Sequence, residues 1–401
     1  MNQTFLQKLQ RVKGEDILSI FLFLLALPVS FFYNRKRKHM WLICDSKKEA
    51  RDNGYWFFEY LRREHPEVDC VYAIDTTSPD FDRVKDLGEV VHWGSFRHWL
   101  YYLVAEMNIS SQKEGKPNAA VCYVLEVYGI RKNARVFLQH GVTKDDMEFL
   151  YYKNTKMRMF VCETKKEYNY ICERFGYPKG WVVQPGFTRF DHLVDTSSGK
   201  KQLLIMPTWR NWIGKPTYKS KEFDDITDFT ETEYYKCWNG LLSSPEFLQM
   251  IEEEKMNVVF YPHRQMQRFL DKFHLSHPNI TVAKWPEYDV QKLLKESSVL
   301  ITDYSSIAMD FAYMKKPLVY FQFDYEKFRQ GQYAQGYFSY KEDGFGPVVS
   351  SVEEVCASLE KLSQSKYAME DVYRRRSEAF FDLCDQENCR RTYEEILKII
   401  E

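Results

Sequence analysis

From residue 39 onward, short apolar segments alternate with longer segments whose apolar residues recur at helical spacing. The short segments are typical of strands buried on both faces of a parallel sheet, and the longer ones of amphipathic helices. In the first half of the chain, strands are predicted at 40–44, 70–74, 90–93, 135–139, 157–162 and 181–184, with helices at 55–63, 96–105 and 165–175. This alternation predicts a doubly wound α/β domain.

The alternation stops at a small, polar segment, 196–201, and then restarts. Further strands are predicted at 202–206, 258–260, 280–282, 299–301 and 318–321. We therefore predict an α/β protein with two Rossmann-like domains. The predicted boundaries are 39–195, 202–365 and a helical segment, 366–401, that crosses back to the first domain.

Two features follow from this organisation. The long polar and aromatic segment 211–232 is predicted to be an ordered loop. Because doubly wound sheets bind ligands beyond the carboxyl ends of their strands, a cleft between the two domains is the expected site.

The first 38 residues have a different pattern. Residues 17–33 (ILSIFLFLLALPVSFFY) carry no charge and are followed by the basic run 35–38. Their length is at the lower limit for spanning a bilayer, and Pro28 is expected to kink a helix there. The basic run indicates a cytoplasmic, anionic surface on its side. We predict that residues 1–38 anchor the chain to the cytoplasmic face of the membrane, spanning it or lying in the interface; a buried core helix is the alternative.

Composition excludes several classes of protein. The net charge of −1 provides no general attraction for nucleic acid, and nine dispersed cysteines without a C-x-x-C pair indicate reduced thiols. Phosphate-binding and dinucleotide-binding glycine motifs are missing, as is the G-x-S-x-G of hydrolases. Asp80-Phe81-Asp82 is better explained as the first turn of a helix than as a metal ligand set. Neither a metal nor another cofactor is predicted.

Candidate chemistry collects where strands end. The strand at 299–301 is followed by Thr302-Asp303-Tyr304-Ser305-Ser306 and then directly by a predicted helix. Ser305 and Ser306 therefore lie where unpaired N–H groups and the positive end of the helix dipole emerge, which favours an anion. The alternative is that one serine only caps the helix.

Two histidines also follow strands. His140-Gly141 ends the strand at 135–139, where a histidine is suited to accept a proton and the glycine leaves room for a ligand. The strand at 258–260 leads into Pro262-His263-Arg264, and His263 and Arg264 are candidates to bind phosphate. An N-cap or an ordinary exposed polar residue is the alternative for each.

Two arginines complete the candidate set. Pro207-Thr208-Trp209-Arg210 follows the strand at 202–206, and the planar guanidinium of Arg210 suits phosphate unless it is packed inside. Arg189 and Asp191 follow the last strand of the first domain. An arginine and an aspartate two residues apart either stabilise a loop or take part in catalysis.

Together these motifs resemble the CDP-glycerol glycerophosphotransferases of teichoic acid and capsule synthesis. The shared motifs occur in the family's order over about residues 40–350, and they are His140-Gly141, Gly186 with Arg189-Phe190-Asp191, Pro207 to Arg210, Glu231 to Tyr234 before Trp238, Pro262-His263, Thr302 to Ser306, Asp310-Phe311 and Lys316-Pro317. The chain departs from the family pattern at Gln139, at Val142-Thr143, at Phe187-Thr188 and at Asp385-Gln386.

The resemblance implies a GT-B arrangement of the two domains and transfer of a polyol phosphate from a CDP-polyol to a hydroxyl of a lipid-linked acceptor, releasing CMP. It implies that His140 is the general base and that His263 also acts in catalysis. The remaining candidates are implied to bind substrate: Gly141, Arg189, Asp191, Thr208, Arg210, Arg264, Asp303, Ser305 and Ser306. Glycerol phosphate is the expected group.

Two rival functions remain open. A GT-B glycosyltransferase that uses a nucleotide sugar requires the same fold and the same pyrophosphate site. A membrane-bound scaffold without catalysis is the second rival, although the presence of both histidines and both serines argues against it. The sequence leaves open whether the donor carries glycerol or ribitol, and whether the acceptor belongs to teichoic acid or capsule.

Overall fold

The computed structural model describes residues 14–33, 37, 39–127, 134–213 and 228–400. The chain divides into two compact units. The first unit consists of Met1–His140, Glu148–Asp191 and Asp385–Glu401, and the second of Gly141–Met147 and His192–Cys384. Each unit is built around one parallel β-sheet flanked by helices, so the predicted α/β fold class is confirmed.

The first unit contains a seven-stranded sheet in the order β3-β2-β1-β4-β5-β6-β7. Its strands are β1 (Trp41–Cys44), β2 (Cys70–Ile74), β3 (Glu89–His92), β4 (Met107–Ser110), β5 (Ala134–Phe137), β6 (Met159–Val161) and β7 (Val182–Val183). Its helices are α1 (Gly14–Tyr33), α2 (Asn53–Glu64), α3 (Phe81–Val84), α4 (Phe96–Val104), α5 (Ala119–Val127), α6 (Tyr152–Thr155) and α7 (Lys165–Arg174), with 3₁₀ turns at Glu148–Leu150 and Thr188–His192.

The sequence pattern does not predict β4, which lies between β1 and β5. This strand reads Met-Asn-Ile-Ser, an alternation typical of a strand with one exposed face. All four residues are nevertheless buried. The hydroxyl of Ser110 donates to Gln112 O at 2.9 Å, which satisfies a polar group inside the sheet. Tertiary pairing therefore makes a central strand from a sequence without a sufficient apolar run.

The second unit contains a six-stranded sheet in the order β10-β9-β8-β11-β12-β13. Its strands are β8 (Gln202–Met206), β9 (Asn257–Phe260), β10 (Ile280–Val282), β11 (Val299–Thr302), β12 (Leu318–Phe321) and β13 (Val348–Val349). Its helices are α8 (Glu233–Ser243), α9 (Pro245–Glu253), α10 (Val290–Glu296), α11 (Ile307–Tyr313), α12 (Tyr325–Gly331), α13 (Val352–Gln364) and α14 (Asp371–Phe380), with 3₁₀ turns at Phe229–Glu231 and Arg264–Lys272. Trp238 of α8 is fully buried and contacts Phe321 of β12 at a ring distance of 5.1 Å.

Parts of two predicted segments lie outside the described residues. Of the loop predicted at 211–232, the structure describes 211–213 and 228–232, and Thr232 caps α8 by accepting from Tyr235 N. Of the basic run at 35–38, it describes Arg37, which pairs with Asp69 and Glu89.

The C-terminal segment, predicted to be helical over 366–401, forms two helices. The first, α14, belongs to the second unit, whereas α15 (Asn388–Ile400) belongs to the first. In the first unit, Asp191 accepts from Asn388 N (2.9 Å) and Cys389 N (2.8 Å), so its carboxylate caps α15. The ring of Tyr393 then stacks on His65 at 3.9 Å.

The apolar helix α1 packs one face against α4 and leaves the other face exposed. Ala26 is fully buried, Phe23 contacts Trp99 at 5.5 Å, and Trp99 Nε1 donates to Ser19 Oγ at 3.2 Å. The outer face is apolar, and its exposed side chains are Ile17, Leu18, Ile20, Phe21, Leu24, Leu25, Leu27, Val29, Phe31 and Phe32. By length and hydropathy (mean 2.1) this helix is long and apolar enough to cross a membrane.

Gly54 in the first turn of α2 allows this helix to approach the end of β1. A Cβ at this position would lie 2.5 Å from both Asp45 Oδ1 and Cys44 O. We expect Gly54→Ala to lower the free energy of unfolding by about 1–3 kcal/mol, because backbone atoms must shift. Denaturation in urea measures this loss. The control is Gly240→Ala in α8, where the nearest atom, Val352 Cγ2, is 3.9 Å away and no loss is expected. Equal stabilities of the two variants would contradict the prediction.

Candidate active site

His140 lies beyond the carboxyl end of β5, on a turn that exposes its ring. The turn begins at Gln139, whose backbone is left-handed (φ 62°). The buried amide of Gln139 holds this backbone, because its Nε2 donates to Val161 O at 2.6 Å and to Glu167 Oε1 at 2.9 Å. The His140 side chain is 68% exposed, so a substrate can reach the ring.

Asp52 contacts the Nδ1 side of this ring. Its Oδ2 shares a short hydrogen bond with His140 Nδ1, and its side chain is 13% exposed. As the N-cap of α2, Asp52 accepts from Asn53 N through Oδ1 at 2.8 Å, and Arg189 Nη1 lies 3.3 Å from the same oxygen. Within the described part of the chain, Nε2 of His140 has no hydrogen-bond partner. The ring is therefore held from one side only.

Buried polar residues fix the position of Asp52. The amide of fully buried Asn53 donates to Gln139 O at 2.7 Å, which joins α2 to the turn that carries the histidine. Asp45, the first residue after β1, accepts from Asp52 N (3.0 Å) and Gly54 N (2.7 Å). The helix start and the histidine turn are thus tied to one edge of the sheet.

Electrostatics favour a protonated ring beside an ionised carboxylate. Loss of water acts to lower the pKa of His140, but the Asp52 carboxylate outweighs this effect and the His140 pKa is raised above its usual value. Burial acts to raise the pKa of Asp52, yet His140 and Arg189 outweigh it, so the Asp52 pKa is lowered. An imidazole in this setting accepts a proton more readily than a free one.

Arg189 and Asp191 do not pair with each other. Arg189 faces Asp52 and is mostly buried, with its guanidinium over the rings of Phe187 and Phe190. Asp191 caps α15 with both carboxylate oxygens, and burial raises its pKa. The structure therefore places Arg189 beside the histidine and gives Asp191 a structural contact.

In the second unit, Asp303 joins the loops that follow β8 and β11. Its side chain is fully buried, and Oδ1 accepts from Thr208 N at 2.9 Å and from Tyr304 N at 2.6 Å. Its Oδ2 lies 2.9 Å from Arg210 Nη2. The predicted substrate ligand Asp303 is thus occupied by protein donors, and its observed contacts hold two loops together.

Arg210 is buried rather than directed at a ligand. Its side chain has zero exposure, Nε donates to Asp324 Oδ2 at 2.7 Å, Nη2 donates to Asp324 Oδ1 at 3.0 Å, and Nη1 donates to Thr208 O at 2.8 Å. The guanidinium also lies over the rings of Tyr234, Tyr304, Phe323 and Phe328. The sequence predicts phosphate binding here, whereas two buried carboxylates neutralise this cation. The planar guanidinium can donate two parallel hydrogen bonds to a carboxylate as well as to a phosphate.

Ser305 and Ser306 are more exposed than Asp303 and Arg210. Ser305 and Ser306 are half-buried, Ser306 makes no side-chain capping bond, and Ser305 Oγ accepts a long bond (3.3 Å) from Ile307 N. Gly141 lies against them, since a Cβ there would be 2.5 Å from Ser306 Oγ. Thr208 Oγ1 is buried and, among the described residues, has no hydrogen-bond partner. The two serine hydroxyls are therefore accessible to a ligand, whereas the Thr208 hydroxyl is enclosed by protein.

Residues 141–147 belong to the second unit, and a hydrogen bond and an ion pair hold them beside the serines. The buried Lys144 donates through Nζ to Tyr304 O at 2.9 Å, and Arg329 Nη1 pairs with Asp145 Oδ1 at 2.6 Å. The chain thus passes from one unit to the other directly after His140. This packing keeps Gly141 against Ser306.

His263 and Arg264 lie beyond β9 and are exposed. The backbone N of His263 donates to Pro207 O at 3.0 Å, which brings the loop after β9 next to the loop after β8. Its ring caps the following 3₁₀ turn, since Nδ1 accepts from Gln265 N at 3.3 Å. Arg264 stacks over Trp285 at 3.9 Å. His263 therefore lies next to the loop that carries Thr208.

The structure also contains a cavity of about 910 Å³ that includes none of these residues. It is lined by residues at the amino-terminal ends of β8, β11 and β12, including Lys201, Ser298 and Pro317. Two of its lysines are paired: Lys200 contacts Glu296 and Lys201 contacts Glu254. No group of three or more His, Cys, Asp or Glu side chains suited to a metal ion occurs in the part of the chain that the structure describes.

The sequence pattern does not single out three residues of this site, Asp45, Asp52 and Asn53. A signal was present: an aspartate follows the first strand, and Asp-Asn-Gly opens the next helix. Each residue alone is an ordinary cap or turn residue. Only the folded sheet brings Asp52 next to His140, which is 88 positions away.

The burial of Arg210 gives a prediction that separates a structural role from a phosphate contact. Arg210→Met leaves Asp303 and Asp324 buried without a cation, so we expect a loss of about 3–5 kcal/mol in the free energy of unfolding. Denaturation in urea at neutral pH measures it. The exposed, stacked Arg264 is the control, since Arg264→Met should cost about 1 kcal/mol or less. A stable Arg210→Met variant that binds donor poorly would instead favour the phosphate role.

Three comparisons show what the chain is similar to. The profile of the family described as CDP-Glycerol:Poly(glycerophosphate) glycerophosphotransferase matches residues 25–398. The Minor teichoic acid biosynthesis protein GgaB of Bacillus subtilis (strain 168) is 31% identical over 373 residues, covering 90% of this chain and 40% of that protein. The Teichoic acid poly(glycerol phosphate) polymerase of the same strain is 23% identical over 390 residues, covering 88% and 46%. The chain thus spans less than half the length of these relatives.

Among solved structures, a variant of the Wall Teichoic Acid Polymerase TagF soaked with CDPG superposes with a TM-score of 0.66 at 16% identity, covering 95% of this chain and 94% of that chain. At this identity the likeness concerns the fold, two parallel-sheet α/β domains of the GT-B class. Because the family profile spans most of the chain, the protein belongs to the CDP-glycerol:poly(glycerophosphate) glycerophosphotransferase family.

Proposed function

We propose that this protein transfers glycerol phosphate from CDP-glycerol to a hydroxyl of a lipid-linked teichoic acid acceptor and releases CMP. Membership in the family supports this reaction, and related proteins include glycerol phosphate and ribitol phosphate polymerases. The observation that carries the proposal is the exposed His140, held through Nδ1 by a carboxylate. Such a histidine is arranged to act as a general base through Nε2.

In the proposed step, the acceptor oxygen attacks the phosphorus that bears glycerol. A new P–O bond to the acceptor forms, and the P–O bond to CMP breaks. His140 Nε2 takes the hydroxyl proton, and the negative charge that develops on CMP requires donors around the phosphates. Proton removal by a positioned base contributes about 10²–10⁴-fold to such a rate.

We propose that the donor phosphates are bound in the second unit by Ser305, Ser306 and His263. Within the part of the chain that the structure describes, no strong hydrogen bond uses the two serine hydroxyls, and His263 lies exposed on the neighbouring loop. Arg210 and Asp303 then act from inside, by holding the Thr208 loop against the Tyr304 loop. Gly141 provides room beside Ser306, which a side chain would obstruct.

We propose that α1 lies in the membrane interface on the cytoplasmic side. One face of α1 is packed against α4, so that face is not available to lipid. The opposite face is apolar, with Phe31 and Phe32 exposed by 72% and 78%. A helix that is docked on one side and apolar on the other fits the boundary of a bilayer better than its interior. This position would bring the enzyme to a lipid-linked acceptor.

The first test is CMP release from CDP-glycerol and CDP-ribitol with a detergent-solubilised lipid-linked acceptor. We expect acceptor-dependent release from CDP-glycerol, and a fall of about 10²–10⁴-fold in His140→Ala. The matched control is the exposed His274, since His274→Ala should keep the wild-type rate.

Three other results would reject parts of this proposal. Full activity of His140→Ala would show that His140 is not the general base. Release of a nucleoside diphosphate from a nucleotide sugar, with both CDP-polyols inert, would favour a glycosyltransferase. A protein inert with every donor, whose His140→Ala variant keeps its cellular role, would favour a scaffold.

The second test concerns membrane association. Full-length protein should float with vesicles of phosphatidylglycerol and phosphatidylcholine, and Leu24→Gln/Phe31→Gln should bind at least about tenfold more weakly, since burying one such side chain is worth about 1.5–3 kcal/mol. Tyr325→Gln, an exposed aromatic residue of the second unit, is the control. Alkaline carbonate should release the wild-type protein from membranes. Retention after carbonate would instead indicate a spanning helix.

A further inference from the structure

The two carboxylate oxygens of Asp52 have different partners. Oδ1 accepts from Asn53 N, and Oδ2 bonds to His140 Nδ1. We propose that Asp52 is a positioning residue: its carboxylate keeps the proton of His140 on Nδ1, so that Nε2 presents a lone pair to the acceptor hydroxyl. This inference rests on the proposed function, in which His140 is the general base. Asp52 lies 88 positions before His140 in the sequence, and without its carboxylate His140 would have the wrong tautomer for a base.

The hydrogen bonds of Asp52 fix the direction of the proton. Oδ1 faces Asn53 N at 2.8 Å and Arg189 Nη1 at 3.3 Å, and both of these groups can only donate. Oδ2 faces His140 Nδ1, with Gln112 Nε2 at a weaker 3.5 Å. An ionised carboxylate can only accept, so Nδ1 must be the donor. In a neutral imidazole the other nitrogen, Nε2, is then the acceptor.

Asp52 is itself rigidly placed. Its backbone N donates to the buried Asp45 at 3.0 Å, and the next residue, Asn53, donates to Gln139 O at 2.7 Å. Both partners of the Asp52–His140 contact are therefore attached to the same buried network. Movement of the turn that carries His140 relative to the start of α2 would break the buried Asn53–Gln139 hydrogen bond, which water cannot easily replace.

The charged groups that face His140 come from three elements. Asp52 comes from the start of α2, Arg189 from the 3₁₀ turn at Thr188–His192, and Glu49 from the turn after β1. The carboxylates raise the pKa of His140, whereas Arg189 and loss of water lower it, and the net direction is upward. Asp45 lies behind Asp52, whose charge raises the pKa of Asp45 in addition to burial. Removing the charge of Asp52 should therefore lower the pKa of His140.

A purely structural role for Asp52 is the competing explanation, because it caps α2. Asn is as good an N-cap as Asp, so Asp52→Asn keeps the helix start. The donors Asn53 N and Arg189 Nη1 require an acceptor at Oδ1, which turns the new amide NH₂ towards His140. His140 Nδ1 must then accept, and its proton moves to Nε2. This variant inverts the tautomer while leaving the cap intact.

The activity test compares wild type with Asp52→Asn in CMP release from CDP-glycerol. We expect kcat to fall about 10²–10⁴-fold with little change in the KM for the donor, because the base is misprotonated while the donor site is untouched. A general base is active when deprotonated, so kcat/KM should rise with pH through the His140 pKa. In Asp52→Asn this rise in kcat/KM should occur at lower pH, because a lowered His140 pKa leaves the ring deprotonated at lower pH.

A second readout does not depend on activity. The ¹⁵N chemical shifts of the His140 ring, measured by NMR over a pH titration, report its tautomer and its pKa. We expect Nδ1–H in wild type, Nε2–H in Asp52→Asn, and a lower pKa in the variant. Asp52→Ser, which keeps a capping side chain but is too short to reach the ring, should lower the pKa without imposing either tautomer.

The control is Asp289→Asn, the same change at the N-cap of α10, where the Asp289 carboxylate accepts from Lys292 N at 3.2 Å. It should leave kcat and the His140 shifts at wild-type values. An unchanged tautomer and pKa in Asp52→Asn would overturn the proposal whatever the activity. A changed tautomer with unchanged kcat, alongside an inactive His140→Ala, would overturn the positioning role while the reaction stands. Full activity of His140→Ala, or a wild type inert with every CDP-polyol, would instead defeat the proposed function on which this inference rests.

Discussion

Each unit holds its loops with a buried aspartate that comes directly after a strand in the interior of its sheet. In the first unit, Asp45 follows β1 and accepts from Asp52 N and Gly54 N. In the second, Asp303 follows β11 and accepts from Thr208 N and Tyr304 N. A carboxylate accepts several backbone N–H groups at once, so one side chain can satisfy loops that would otherwise leave buried donors unpaired. The candidate site residues on these loops depend on the two carboxylates for their positions.

Burial decides which charged residues can take part in chemistry. Arg210 and His140 both follow strands and both face carboxylates, yet Arg210 is fully buried while the His140 ring is mostly exposed. A buried guanidinium must be neutralised by fixed partners, so Arg210 is saturated by Asp303 and Asp324. His140 is held at one nitrogen and leaves the other to solvent. The first arrangement stabilises a loop, whereas the second leaves a group free to exchange a proton.

The N-terminal helix shows a related division between its two faces. Ser19, Phe23 and Ala26 are used for packing and for a hydrogen bond with Trp99. The outer residues remain exposed and apolar, a surface that is larger than the isolated apolar side chains of ordinary protein surfaces. Hydropathy alone does not distinguish these faces, because every residue from 17 to 33 is uncharged. The packing against α4 distinguishes them.

The sequence by itself determined the alternation of strands and helices, hence two α/β sheets, and it placed His140, Thr208, His263 and Ser305 at strand ends. These features are local, since they depend on apolar periodicity and on turn residues. Only the tertiary structure decided that β4 is a central strand, that Arg210 is enclosed by two carboxylates, and that Asp52 meets His140. Each of these outcomes depends on contacts between residues far apart in the chain. Burial and pairing at such a distance follow from how the sheet assembles, which no local pattern encodes.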